Sequence, residues 1–482
     1  MTNNPTLSIV QLNDSHAYLD LHQELFWEAD KAVYRLVGGY ARIATIIRQI
    51  RSELEGRVIF CDCGDTLHGT YPALQTQGQA LIPILNELEF DAMSSHWEFA
   101  YSPATFKQLA AQLSYPTLAI NVYDKATKKV IFPPYRVKEV GGIRIGMVGI
   151  ASNIIDKTMP PSFSEGVRFT LGREELPTFV DILRMKEKVD LIVLISHLGF
   201  AQDMKLLSEV DGIDVCLSGH THNRLYKPVR QGKTLVIQSG CHGSFLGRLD
   251  VEVQEGKIVD YQHQLIEVEK GIKADPVVEK MVKKALSPFQ EELSKVVGET
   301  ETALNRSTMM ESTMDNFLLQ ALMESTGSEM AFSNGWRYGA PVVPGKITLN
   351  DLYNIIPMNP PVSTVYITGE ELLAMLEENL ERTFASDPYE QMGGYVKRSL
   401  GLTVYLKIEN PKGQRIQQVF VGKEELDPKR SYYVAFVTEQ GVSSNYGSQR
   451  ETHAEHAIDA MLSYLAKHRP MRAELRNTFV AV

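Results

Sequence analysis

Cysteine is scarce in this chain: four residues in 482, Cys61, Cys63, Cys216 and Cys241. That is too few for a disulfide framework, and it points to a reducing, cytoplasmic setting. Long apolar runs are missing too. None approaches the roughly 18 residues that span a bilayer, so a soluble chain with no membrane partner is expected. Basic residues are in deficit, 49 Lys plus Arg against 59 Asp plus Glu, for a net charge of −10. Such a surface repels a polynucleotide backbone, and no basic run offsets it, so nucleic acid is excluded as a partner. The start of the chain, Met1 to Ser8, lacks a basic segment, and the apolar stretch after it is broken by Asn13, Asp14 and His16. It does not read as a secretory signal. There is no internal repeat and no low-complexity tract.

The composition is that of a globular protein, 44% hydrophobic and 22% charged. Its length exceeds the ~250–300 residues at which one core stops growing, so two domains are expected. Short apolar runs at Leu7–Leu12, Val58–Cys61, Leu191–Ile195, Val215–Leu217 and Leu235–Ile237 read as buried strands, each leading into polar residues. Helical patterns lie between them at Tyr40–Leu54, Ala80–Leu88, Pro103–Leu113 and Leu176–Lys188. Alternating strands and helices imply a layered α/β domain over residues 1–268. A charged helical stretch at 269–300 reads as a linker, and 301–482 mixes strands and helices in an α+β pattern. Its expected elements are helices at Met314–Ser325, Gly369–Arg382 and His456–Lys467, with strands at Ser363–Ile367, Leu402–Ile408, Gln417–Val421 and Tyr432–Phe436.

Five strand-end patches carry metal-type donors: Asn13-Asp14-Ser15-His16, Gly64-Asp65-Thr66, His96 with Glu98, Ser196-His197, and Gly219-His220-Thr221-His222. Carboxylates combined with imidazoles suit divalent ions of intermediate hardness, Mn, Fe, Co, Ni or Zn. Asp65 is the natural shared ligand of a pair spaced ~3.5–4 Å apart, which would activate a bridging hydroxide and clamp a phosphoryl group. Singly, a Gly-Asp or an Asp-x-His is as ordinary as any turn. The Gly-His-x-His is stronger, because it puts two imidazoles on one side of an extended segment. Cys61-Asp62-Cys63 looks like a metal pair, but it lies on a strand with both thiols on one face and reads as core.

The ordered set resembles the calcineurin-like metallophosphoesterases, and within them the 5′-nucleotidase family. The matching pieces include Gly38-Gly39-Tyr40-Ala41-Arg42 and Asn121 in the first half. In the second they are Glu311-Ser312 with Asn316, Asn334-Gly335-Trp336-Arg337, Ile356-Pro357, Thr368-Gly369-Glu370-Glu371-Leu372 and Gly393-Gly394-Tyr395. The resemblance implies a four-layered α/β/β/α metallophosphatase domain followed by an α+β 5′-nucleotidase-type domain. It implies that Asp14, His16, Asp65 and His222 hold one metal, and Asp65, His197 and His220 the other. It further implies an enzyme of nucleotide catabolism with 5′-nucleotidase or 2′,3′-cyclic-nucleotide phosphodiesterase activity, acting on a small phosphate ester by attack of metal-bridging hydroxide.

The third patch departs from the family's Gly-Asn-His-Glu-Phe-Asp. Here Ser95-His96-Trp97-Glu98-Phe99-Ala100 puts His96 in the Asn position, Trp97 in the His position and Ala100 in the Asp position. His96 is then a metal ligand. A register shifted by one residue would make it the catalytic acid instead. In the first register the proton donor and its carboxylate are both gone, which slows alkoxide expulsion by ~10²–10⁴-fold and favours acidic leaving groups. His68 and His242 are candidate replacements. The His-Trp-Glu-Phe form also resembles the thiosulfohydrolases of sulfur oxidation, so cleavage of sulfate from a thiosulfonate is an alternative. A weakened, metal-dependent nucleotide-binding protein is another.

For substrate, the resemblance assigns Asn121, Asn334, Arg337 and Tyr395, with Tyr446 in place of a second stacking ring. Arg337 suits a phosphate because a guanidinium binds an oxyanion bidentately. Arg382 and Arg398 are weaker candidates, expected to be exposed if they are not functional.

Overall fold

The computed structural model describes residues 6–482, so the reading of the N-terminus as lacking an export signal falls partly on residues 1–5, outside them. The chain divides into two units. The first is the chain to His22 with Leu36–Pro288, and the second is Gln23–Arg35 with Phe289–Val482. The expected linker contains the helix Pro276–Leu293. The hairpin strands His22–Glu28 and Lys31–Val37 contribute residues 23–35 to the second unit, although they lie within the first domain expected from sequence.

The first unit is built on two sheets. One orders Lys257–Glu267, Phe245–Gln254, Thr6–Leu12, Val58–Asp62 and Ala92–Met93. The other orders Val229–Gln231, Thr234–Ile237, Val215–Ser218, Leu191–Ser196, Ile143–Ile150 and Tyr135–Val140. Leu7, Ile9, Ile59 and Cys61 from the first sheet share a core with Ile145, Val193, Ile195, Val215 and Ile237 from the second. Cys61 and Cys63 belong to that core, and all four cysteines are free. The helix Tyr40–Glu53 presents Ile43, Ile46, Ile47 and Ile50 as its buried stripe. The result is the α/β/β/α layering expected from sequence.

Parallel pairing aligns the strand ends. Leu12 pairs with Asp62, Ser196 pairs with Ser218 and with Ile150, and Leu217 pairs with Ile237. Every metal-type patch therefore leaves its sheet at a C-terminal strand edge, where open α/β folds gather function.

The second unit pairs Arg398–Leu400, Met330–Ser333, Ser431–Val437, Pro361–Thr368 and Ser448–His456 in one sheet, and Glu424–Glu425, Ile416–Val421, Leu402–Leu406 and Phe479–Ala481 in another. The helix Thr313–Thr326 is capped by Ser312, whose hydroxyl accepts from Asp315 N, and stops at Gly327 with φ 70°. Thr368 and Glu371 form a capping box for Gly369–Phe384. Two of the family-like motifs of this half are thus helix starts.

Some elements differ in detail from the sequence expectation. Ala80–Leu88 begins as a 3₁₀ turn, Gln79–Leu81, and Pro83 then sits in the first turn of Ile82–Leu88. Leu176–Lys188 is α-helical only to Asp181 and widens to a π-turn over Ile182–Lys186. The strand Ser448–His456 has an exposed, polar sequence that carries no apolar signal. Among the described residues, no helix is long and apolar enough to cross a membrane.

Candidate metal centre

The five patches converge. Asp65, His96, His197 and His220 bring one donor atom each within 4.8 Å of one another, and Asp14, His16 and His222 do the same. Asp65 reaches into both groups: its carboxylate lies 3.2 Å from His197 Nε2, 3.2 Å from His96 Nδ1 and 3.7 Å from His16 Nε2. Asp14 Oδ1 lies 3.3 Å from His222 Nε2 and 3.7 Å from His197 Nε2. The Nε2 atoms of His16 and His222 face each other at 3.3 Å.

The local backbone explains the convergence. Asp14, His16, Asp65, His220 and His222 all have φ between 46° and 73°. Five non-glycine residues in the left-handed region is a cost tolerated where the turn aims a side chain. Loop-to-loop hydrogen bonds fix these turns: Asp14 N to Gly64 O at 3.0 Å, His16 N to Asp65 O at 2.7 Å, and His220 N to Asp14 Oδ2 at 2.9 Å. At the third patch, Glu98 accepts from Thr66 N at 2.7 Å and from His96 N at 2.8 Å, while Trp97 N donates to Asp65 Oδ1 at 2.7 Å. Glu98 therefore braces the His96 and Asp65 loops against each other. Gly64 must be glycine, since a Cβ there would lie 2.9 Å from the Ser95 backbone and its φ is 93°.

The donors compete for charge. Burial would raise Asp65, but His96 and His197 hold it well below the usual carboxylate range. Burial would lower His197, yet the carboxylates of Asp65 and Asp14 raise it to about 10. Burial pushes His16 down to about 3. His96 Nε2 is buried without a hydrogen-bond partner among the described residues. Two buried carboxylates among five imidazoles, with a buried ring nitrogen left unbonded, make a donor set that fits first-row divalent cations.

The remaining candidates divide. His68 is buried, stacked on Trp97 with centroids 4.9 Å apart and planes at 19°, and burial lowers it to about 4. At neutral pH it carries no proton to donate as an imidazolium. His242 lies 6.2 Å from the His16 ring and 4.6 Å from Tyr18, at the edge of the cluster. Asn121 is fully buried and bonds the Ala151 and Thr170 carbonyls, both at 2.8 Å.

In the second unit, Tyr395 N donates to Gly335 O, which brings the 334–337 segment against Tyr395. Arg337 donates to Gly394 O at 2.9 Å and lies 5.2 Å from the Tyr395 ring centre. Asn334 donates to Gln440 Oε1 at 3.3 Å. The Tyr446 hydroxyl donates to Glu378 at 2.8 Å. Arg398 corrects an expectation: it is buried, not exposed, pairing with Asp315 at 3.0 Å and donating to the carbonyls of Thr308 and Met309. Arg382 is exposed and pairs with Glu378 one helical turn away. Glu98, read from sequence beside His96 as a metal-type donor, instead accepts from backbone amides, while Asp203 and Gln238, which hold the strand ends behind His197 and His220, have no role assigned from sequence.

Residues 294–438 match the family model described as 5′-nucleotidase, C-terminal domain. The trifunctional nucleotide phosphoesterase YfkN of Bacillus subtilis is 24% identical over 86% of this chain, and the chain spans only 30% of that relative's length. A Thermus thermophilus structure of the sulfate thiohydrolase SoxB superposes with a TM-score of 0.92 at 26% identity, covering 99% of this chain and 96% of that one. A 5′-nucleotidase precursor, also from Thermus thermophilus, superposes with a TM-score of 0.86 at 23% identity, covering 99% of each chain.

Proposed function

We propose that this chain, a member of the 5′-nucleotidase family of metal-dependent phosphoesterases, hydrolyses phosphate esters of nucleotides or related small molecules at a dinuclear centre. The observation that carries the reading is the Asp65 carboxylate, in reach of donors from both clusters. Asp14, His16, Asp65 and His222 would hold one cation, and Asp65, His96, His197 and His220 the other. Two such cations supply Lewis acidity toward a phosphoryl oxygen and lower the pKa of water to near neutrality. The chain's own part is to hold the donors rigidly and to orient the ester. Arg337, Asn334 and Tyr395 are the candidate substrate-binding residues of the second unit, and the Arg337 guanidinium suits an oxyanion.

His96 and Trp97 set the leaving-group preference. With His96 serving as a metal ligand and an indole at the next position, the usual proton donor to a departing alkoxide would be missing. Esters with acidic leaving groups, such as aryl, cyclic or pyrophosphate-type phosphates, should therefore outrun alkyl phosphates by ~10²–10⁴-fold. A second reading has its own support in the His96-Trp97 pair and the SoxB superposition: cleavage of sulfate from a thiosulfonate.

Steady-state assays of Mn-, Zn- or Co-loaded protein on aryl phosphates, cyclic nucleotides, nucleoside monophosphates, nucleotide sugars and thiosulfonates separate the readings. Turnover restricted to acidic phosphate leaving groups supports the first, and turnover of the thiosulfonate alone the second. Fast nucleoside monophosphate hydrolysis, abolished by H96A in protein that still binds its metals, would sink the assignment of His96 as ligand and make it the acid.

A further inference from the structure

The helix Phe200–Glu209 carries a fully buried carboxylate, Asp203, whose two oxygens are engaged by serines rather than by the metal-type donors. One oxygen accepts from Ser196 Oγ and the other from Ser218 Oγ, both at 2.5 Å. These serines are register partners on adjacent parallel strands, and each closes its strand. His197 follows the first serine directly, and His220 follows the second by two residues. The clamp continues outward. Gln238 donates to Ser218 Oγ at 2.9 Å and to Gly219 O at 2.8 Å, and accepts from Thr221 Oγ1 at 3.0 Å. Thr221 Oγ1 in turn accepts from Phe200 N at 3.1 Å, at the start of the helix that bears Asp203.

The Asp14 and His16 loop is anchored differently, through Asn13 to Gly240 O and through Ser15 to Tyr40. We propose that Asp203 is a positioning residue acting most directly on His197 and His220; His222 shares the clamped loop only through Gln238, which accepts from Asn223 N, while Asp14 and His16 keep anchors of their own. A buried carboxylate with both oxygens bonded holds two strand ends at a fixed spacing. Supports of this kind typically change metal affinity 10–100-fold when lost. The inference rests on the dinuclear reading and adds to it an asymmetry between the two positions.

The test is stepwise Mn²⁺ binding by calorimetry, with electron paramagnetic resonance reporting spin coupling between ions, on wild type, D203N and S218A. Thermal midpoint and the kcat and KM of an aryl phosphate are measured alongside. Expected in D203N is a 10–100-fold weaker second ion, a first ion weakened much less, loss of the coupled signal at limiting Mn²⁺ and a fall in kcat that excess Mn²⁺ restores. S218A, which removes one arm of the clamp, should show the same in milder form and keeps the question answerable if D203N fails to fold. Two ions bound by both variants as in wild type would overturn the proposal. So would equal weakening of both ions in step with a lowered thermal midpoint. A wild type that holds fewer than two ions overturns the dinuclear reading itself, a result distinct from either.

Discussion

In the first unit, the residues that carry chemistry are scattered in sequence and gathered in space. In the second, many of the residues that match the family's motifs serve the fold instead. Asp14, Asp65, His96, His197, His220 and His222 leave five different strand ends and meet. By contrast Ser312, Thr368 and Glu371 cap helices, and Arg398 shares the buried carboxylate Asp315 with Arg306. Convergence across long sequence separations is expensive to maintain without a ligand, since it needs strained turns and buried charge. A residue that caps a helix or closes a buried ion pair has a structural reason for its place and is weak evidence for a site.

The sharpest way to break this comparison is to remove the shared carboxylate. D65N keeps the shape and the Trp97 N contact but withdraws charge from both clusters. It should lower kcat/KM of the metal-loaded protein on the order of 10⁴-fold, about 5 kcal/mol, with loss of at least one ion by elemental analysis. A D65N protein with two ions and near wild-type turnover would show that the convergence is structural.

The same contrast explains what is legible in the sequence. The strands Leu191–Ser196 and Val215–Ser218 are unbroken apolar runs ending in His and Gly-His, so the fold and the ligand read together. Glu98 is visible only as part of a motif, because its bracing role depends on Thr66 lying opposite. Asp203 has no local signal at all. An aspartate on an amphipathic helix reads as solvated, and only the packing of that helix against two strand ends makes it a hub. Arg398 escapes a sequence reading for the same reason, since nothing near it in the chain announces Asp315.

Arg398 and Arg337 should therefore separate on substitution. R398A leaves Asp315 with one guanidinium fewer and frees two backbone carbonyls, which should cost ~3–5 kcal/mol in denaturant unfolding of the second unit. R337A removes a half-buried guanidinium that donates to Gly394 O and should cost less stability than R398A while raising KM for an anionic substrate about tenfold. If R337A unfolds the protein while R398A only raises KM, their roles are reversed.

Lys397 provides the finest probe, because its effect can be read as a function of pH alone. The side chain is buried, with Nζ donating to Gln440 O at 2.6 Å and Gly441 O at 2.8 Å. Burial lowers its pKa from 10.5 to about 8, against the pull of Glu378. Below pH 8 both folded and unfolded chains carry the proton, and above 10.5 neither does. Between those values the unfolded chain binds more protons than the folded one, so stability rises with pH by up to ~3 kcal/mol, and that gain is lost again as pH falls through 8. In K397M the gain should vanish. The difference in unfolding free energy between wild type and K397M should therefore shift toward wild type from pH 8 to 10.5, whatever constant offset the two lost hydrogen bonds contribute. A difference flat across that window would mean the ammonium is as well solvated in the fold as out of it. The segment Gln440–Gly441, which also receives Asn334, would then not depend on a buried cation for its place.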